Sequence, residues 1–279
     1  MRKIIIILAI SVLVVVFYFN KSEAGVPFNN LEGVGGVALN PLAYLADSSG
    51  DNSHFRIGKV DVSGKPRFGG WYVNLGDVNV DWITLGIADT FFKRLEVSYG
   101  HEIIALSENP TRHKNNIGAK LLLIAENFKD YKFIPAFSAG SIWKHTSNVG
   151  AGVDASAADY YLVATKLVTQ LPRPVLLSAG VLSTKGRVTG VLGFDEKRRQ
   201  VFFGNMDLLL TDNIVVGFEY KQGANYPDFK NADYWDAHVA WLANKNLSLI
   251  LAYVNAGSHK SNSKVGLGDG VVLSAQYSF

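Results

Sequence analysis

Val271-Val272-Leu273-Ser274-Ala275-Gln276-Tyr277-Ser278-Phe279 closes the sequence and decides how the rest is read. Val271, Leu273, Ala275, Tyr277 and Phe279 are apolar or small, while Ser274, Gln276 and Ser278, with Val272, take the other positions. Side chains on a strand alternate between faces, so this is a strand with one apolar and one more polar side. The same period recurs upstream. Leu95, Val97 and Tyr99 alternate with Glu96, Ser98 and Gly100; Ile214, Val216, Phe218 and Tyr220 with Gly217, Glu219 and Lys221; Trp235, Ala237, Val239 and Trp241 with Asp236 and His238.

Twelve such strands are predicted, at about 67–76, 81–90, 94–103, 116–126, 131–144, 158–170, 174–183, 199–210, 213–222, 233–243, 246–256 and 268–279. Most have the roughly 9–11 residues that a tilted strand needs to cross a bilayer. From the third strand onward the connections alternate between long (104–115, 145–157, 184–198, 223–232, 257–267) and short (127–130, 171–173, 211–212, 244–245). Transmembrane barrels show this asymmetry, whereas a soluble sandwich has no reason to gather its long loops at one end. The first connection, 77–80, is the exception. The expected fold is all-β, an antiparallel up-and-down transmembrane barrel.

The N-terminus reads as an export signal. Arg2 and Lys3 precede an apolar run from Ile4 to Phe19 broken only by Ser11, and Ser22-Glu23-Ala24 predicts cleavage before Gly25. No later segment offers 18 consecutive apolar residues, which excludes a helical membrane protein after the leader. The expected organisation is therefore a signal peptide over 1–24, a lead-in over 25–66 acting as a plug or periplasmic cap, and a barrel over 67–279. Among 279 residues there is no Cys, which removes disulfides and thiolate chemistry, and 16 Phe, 12 Tyr and 27 Gly suit strands and turns. Without the leader, 24 basic side chains face 23 acidic ones, so nothing points to nucleic acid.

The terminal pattern of Phe279, Tyr277 and Ala275, preceded by Leu273 and Val271, resembles the C-terminal targeting strand of Gram-negative outer-membrane proteins, which the barrel-assembly machinery reads. The stretches Leu31-Glu32-Gly33-Val34-Gly35-Gly36, Asn40-Pro41-Leu42-Ala43-Tyr44, Val80-Asp81-Trp82 and Glu96-Val97-Ser98-Tyr99-Gly100 are similar to an uncharacterised proteobacterial outer-membrane family of unknown function. That resemblance implies a location in the outer membrane and no activity.

Glu96, Glu102, Lys120, Glu126, Lys132, Lys166, Asp207, Glu219, Lys221, Asp236 and His238 fall on the less apolar sides of their strands and are the candidate lumen-facing groups. Charges of both signs in a confined interior must pair, which favours a narrow or plugged lumen over a wide aqueous pore. Lys197, Arg198 and Arg199 mark an outer loop or strand mouth suited to lipopolysaccharide phosphates. Gly33-Val34-Gly35-Gly36-Val37-Ala38 satisfies a relaxed dinucleotide fingerprint but lacks the strand before and the helix after it. A glycine-rich lead-in that packs closely inside or beneath the barrel is the better reading.

The six His residues show no paired metal-ligand spacing, and no nucleophile elbow or phosphate loop occurs. No cofactor is expected. The only acid/base candidates are His101 with Glu102 and Asp236 with His238. The architecture predicts a narrow channel or transporter for small solutes in contact with outer-membrane lipid. A non-conducting barrel that supports envelope polysaccharide export and a barrel-embedded hydrolase remain as alternatives.

Overall fold

The computed structural model describes residues 28–46, 55–76, 79–106, 109–257 and 264–279. The leader predicted over 1–24 lies outside the described residues. Four short strands come first: β1 (Phe28–Asn29) pairs with β2 (Gly35–Gly36), and β3 (Phe55–Ile57) with β4 (Val60–Ser63).

Twelve long antiparallel strands follow: β5 (Arg67–Leu75), β6 (Val80–Phe91), β7 (Leu95–Leu106), β8 (Arg112–Ile124), β9 (Ala136–Thr146), β10 (Ser156–Val168), β11 (Val175–Gly186), β12 (Phe194–Leu209), β13 (Ile214–Lys221), β14 (Tyr234–Leu242), β15 (Leu247–Asn255) and β16 (Asp269–Ser278). Each pairs with its neighbour in sequence, and β16 closes onto β5 in a register running from Val271 opposite Asn74 to Ser278 opposite Arg67. The ring has no free edge, so its backbone groups are satisfied without water. No described helix is long and apolar enough to cross a membrane, a statement that does not bear on strands.

Alternation gives the wall two faces. Along β6 every second residue is buried, from Val80 through Trp82 and Thr84, while the intervening positions look outward. Outward-facing Leu162 and Phe202 remain 61% and 64% exposed, amid a continuous surface of Leu85, Val97, Ile117, Leu251 and Leu273. An apolar belt of that extent belongs against hydrocarbon, not water. Aromatic rings fringe both rims: Phe68, Phe92, Phe137, Trp241, Tyr277 and Phe279 at one end, Tyr72, Trp143, Tyr160, Tyr220 and Tyr253 at the other. The fold is thus a twelve-stranded transmembrane barrel.

The expected strands match in number and order, and two boundaries move by five residues. The predicted strand over 131–144 starts only at Ala136, because Pro135 has no N–H for the ladder. The connection before it therefore spans 125–135, longer than expected, with Asn127, Lys129 and Asp130 in left-handed conformations. Lys132, expected on the lumenal wall, is instead exposed in this turn. β12 begins at Phe194 rather than 199, which places Lys197, Arg198 and Arg199 on strand rather than loop. The inner wall is also less polar than expected, since Trp71, Val73, Leu75, Ile250, Ala252 and Val254 all point inward.

Candidate functional site in the barrel lumen

Residues 28–46 run inside the barrel, and all but Leu39 and Tyr44 are buried. Both ends of this segment lie towards the short-turn rim. Near its start, Asn29 Nδ2 donates to Arg67 O at 2.9 Å, and Trp71 Nε1 donates to Asn29 O at 2.7 Å. Near its end, Ala46 N donates to Glu96 Oε2 at 2.7 Å, and Tyr44 Oη to Glu126 Oε2 at 2.8 Å. Its middle reaches the long-loop half, where Glu32 meets Lys114 and Lys144 and where Ala38 N and Leu39 N donate to Glu219.

Glycines permit this route. Gly33 has φ +83°, and a Cβ there would lie 2.6 Å from Tyr99 O. A Cβ on Gly35 would lie 2.5 Å from Glu96 Oε2. A backbone that passes this close to a strand wall has no room for side chains. The glycine-rich lead-in is therefore a close-packing element rather than a phosphate loop.

Charged groups of the wall grip the main chain of the segment. Lys120 Nζ donates to Gly35 O at 2.9 Å, Leu42 O at 3.2 Å and Tyr44 O at 2.6 Å, and pairs with Glu96 at 2.9 Å. Glu96 Oε1 in turn accepts from Gly35 N at 2.9 Å. Thr165 Oγ1 accepts from Ala43 N at 2.8 Å, and Ser138 Oγ donates to Ala43 O at 2.6 Å. Above them lies a second network: Lys114 pairs with Glu102 at 2.9 Å as well as with Glu32, and Lys144 pairs with Asp159 at 2.7 Å as well as with Glu32. Burial alone would raise the Glu32 carboxyl, but Lys144, Lys114 and Lys221 together hold it well below the ordinary carboxylate range. Burial and the neighbouring Glu126 push the Tyr44 hydroxyl far above its usual value, so it remains a donor.

A third cluster spans β12–β14. His238 Nδ1 bonds Asp236 Oδ1 at 2.7 Å, and its Nε2 bonds Asp207 Oδ1 at 2.8 Å across Gly217. A Cβ on Gly217 would sit 2.3 Å from both Asp207 Oδ1 and His238 Nε2, so the bare glycine opens the gap this bridge crosses. The three side chains tie β12 to β14 across β13. His101 and Glu102 point to opposite faces: Glu102 is in the lumen, and His101 stacks on His113 at 5.6 Å outside. Among the described residues no group of three or more His, Asp or Glu side chains could hold a metal ion.

Of the remaining sequence candidates, Lys166 pairs with Glu126 at 2.9 Å near the short-turn rim. Lys221 is buried on the lumenal side of β13. Arg198 lies over the Tyr160 ring at 4.6 Å and donates to Ala158 O; Arg199 donates to Asn225 O; Lys197 is exposed. Four central groups, Glu32, Lys114, Lys144 and Asp159, were not singled out from sequence. The signal for Lys114 was present, since it shares parity with Asn116 and Lys120 along β8.

The long-loop end is roofed. Residues 187–193 fold inward, with Val188 and Val191 buried, Val188 N donating to Asn231 Oδ1 at 2.8 Å, and Thr146 Oγ1 donating to Gly190 O at 2.9 Å. Val188 (φ +48°) and Thr189 (φ +55°) hold left-handed conformations that β-branched residues seldom adopt.

At the level of fold, the chain is similar to solved outer-membrane proteins. A KdgM porin superposes with a TM-score of 0.51 at 11% identity, over 77% of this chain and 99% of its own. A KdgM porin in complex with disordered oligogalacturonate gives 0.48 at 16% identity, over 78% and 99%. The Acinetobacter baumannii outer membrane protein Omp33 gives 0.41 at 10% identity, over 78% and 99%. Such identities speak to architecture alone. No curated protein sequence matches. A family model described as "Protein of unknown function (DUF3034)" matches residues 25–276, nearly the whole span after the apolar leader, and the chain belongs to that family.

Proposed function

We propose that this protein is a conduit for small solutes in the outer membrane of a Gram-negative bacterium, resting closed with residues 28–46 as a removable plug. The observation behind this reading is that the segment enters and leaves at one rim and is held by charged wall groups bonded to its main chain. A permanently solid interior would be served as well by apolar packing, since buried charges repay their desolvation poorly. When the segment withdraws, Glu96, Lys120 and Glu219 are left as a polar wall that water can solvate. Long loops mark the outer end of such barrels, so the segment enters from the periplasm. In this setting Lys197, at the outer rim, faces lipopolysaccharide phosphates, with Arg198 and Arg199 beside it, and the strand ending in Ala275, Tyr277 and Phe279 serves recognition by the assembly machinery.

Planar-bilayer recordings of the intact chain and of a variant lacking residues 28–46 test this reading. The deletion variant is expected to conduct steadily and the intact chain only in rare openings. A deletion variant that folds, by heat-modifiable migration, yet never conducts would reject the conduit. The inward-folded roof of residues 187–193 favours one other reading, a non-conducting barrel, and the same recordings decide between them.

A further inference from the structure

Between the segment and the roof, the lumen holds a chamber of about 50 Å³, room for several waters or a short-chain molecule of similar bulk. Leu31 and Leu39 form its floor, Val188 and Leu267 its roof, and Val73, Leu75, Trp82, Ala252, Val254 and Val272 most of its wall. The polar groups gather on the opposite side. There Lys221, only 6% exposed, makes no hydrogen bond or ion pair among the described residues, although it lines both this chamber and a smaller neighbouring one.

The nearby carboxylates are engaged elsewhere: Glu32 with Lys114 and Lys144, Asp159 with Lys144, and Asp236 with His238. Two more lining residues have polar atoms without partners, Trp82 Nε1 and Tyr234 Oη. Of the carboxylates that line the chamber, Asp236 has Oδ2 buried without a partner, and Glu32 accepts its lysine contacts on Oε1 alone. Lys114, the other cation of the lining, is paired with Glu32 and Glu102, so among the described residues Lys221 is the lining cation left without a carboxylate. A mostly apolar cavity with one unpaired ammonium suits a ligand with an apolar body and an anionic head.

We propose that this chamber binds a small monocarboxylate with an apolar body, the carboxylate accepting from Lys221 and the body lying against the wall of β5, β6, β15 and β16. This inference rests on the conduit reading and names the class of solute it would carry.

Calorimetric titration of the folded full-length chain with propionate, and with 1-propanol as the uncharged counterpart, tests it. Saturable propionate binding is expected, weakened about tenfold or more by Lys221→Met, as loss of a charge-assisted hydrogen bond implies. Lys221→Arg should stay within a few-fold of the parent, and 1-propanol should bind the Met variant and the parent alike. A parent chain without saturable propionate binding, or a Lys221→Met protein that binds propionate unchanged, would overturn the proposal. If Lys221→Met fails to fold, Val254→Trp, which fills the chamber and leaves Lys221 in place, must abolish binding. Unchanged binding by that variant is equally fatal. Binding is read at equilibrium on the closed protein. Propionate bound by a barrel that never conducts without residues 28–46 would refute the conduit and spare the site; conduction without propionate binding would do the reverse.

Discussion

The two faces of the same strands obey different rules. Outward positions need only be apolar: Leu162, Phe202 and Leu251 meet nothing specific and are set by a period of two. Inward positions need particular partners. Lys120 touches three carbonyls of the segment and Glu96, and Gly217 must stay bare for His238 to reach Asp207. The lipid face thus tolerates exchange within a class but not a charge, while the lumenal face tolerates charge but not loss of a partner.

The sharpest break of that contrast is Lys120→Met, which leaves Glu96 and the segment's carbonyls without their cation. It should cost about 3–5 kcal/mol, read as a lower urea midpoint for the refolded barrel. On the other face, Leu162→Arg, midway along β10, should cost about 2–4 kcal/mol if that surface meets hydrocarbon, whereas Leu162→Met should be nearly silent. If Leu162→Arg were also silent in lipid, the outer belt would be facing water. A smaller effect is expected of Gly217→Ala, whose methyl group would force His238 and Asp207 apart, at about 1–3 kcal/mol in the same assay.

The least effect should come from mild acid. The Glu32 carboxyl is held low in the folded chain, so its contribution is fully present above the unfolded value of 4.5 and is lost only as the pH falls through the lower folded value. The side-chain carboxyl carbon of Glu32 should therefore show no titration shift in NMR spectra of the folded chain between about pH 8 and pH 5. A titration of that carbon within the range would show that Glu32 is not held as described.

How much was legible in the sequence follows the same division. The twelve strands could be read because alternation is local, and of the two boundaries that slipped, the one at β9 did so where Pro135 interrupts a run that otherwise keeps the pattern. Glu219 and Lys120 could be placed on the inner face by parity. Their partners could not, because Leu39 is 180 residues from Glu219 and Gly35 is 85 from Lys120. The apolar sector of the lumen was also hidden, since Val272 and Val254 look no different in sequence from lipid-facing valines. What assigns them inward is the parity of the residues around them together with the segment they pack near. The doublet of His101 and Glu102 misled for the converse reason, because adjacent residues on a strand point apart.

The central claim is that residues 28–46 occupy the lumen. The chain has no cysteine of its own, so a pair can be placed cleanly at Ala43→Cys and Thr165→Cys, where the segment's Ala43 N now donates to the Thr165 side chain at 2.8 Å. Cross-linking of this pair in the folded, membrane-embedded barrel is the most direct measurement. The structure predicts that a short bifunctional thiol reagent joins the pair in nearly every molecule. Two free thiols in a barrel that is folded by heat-modifiable migration would contradict it.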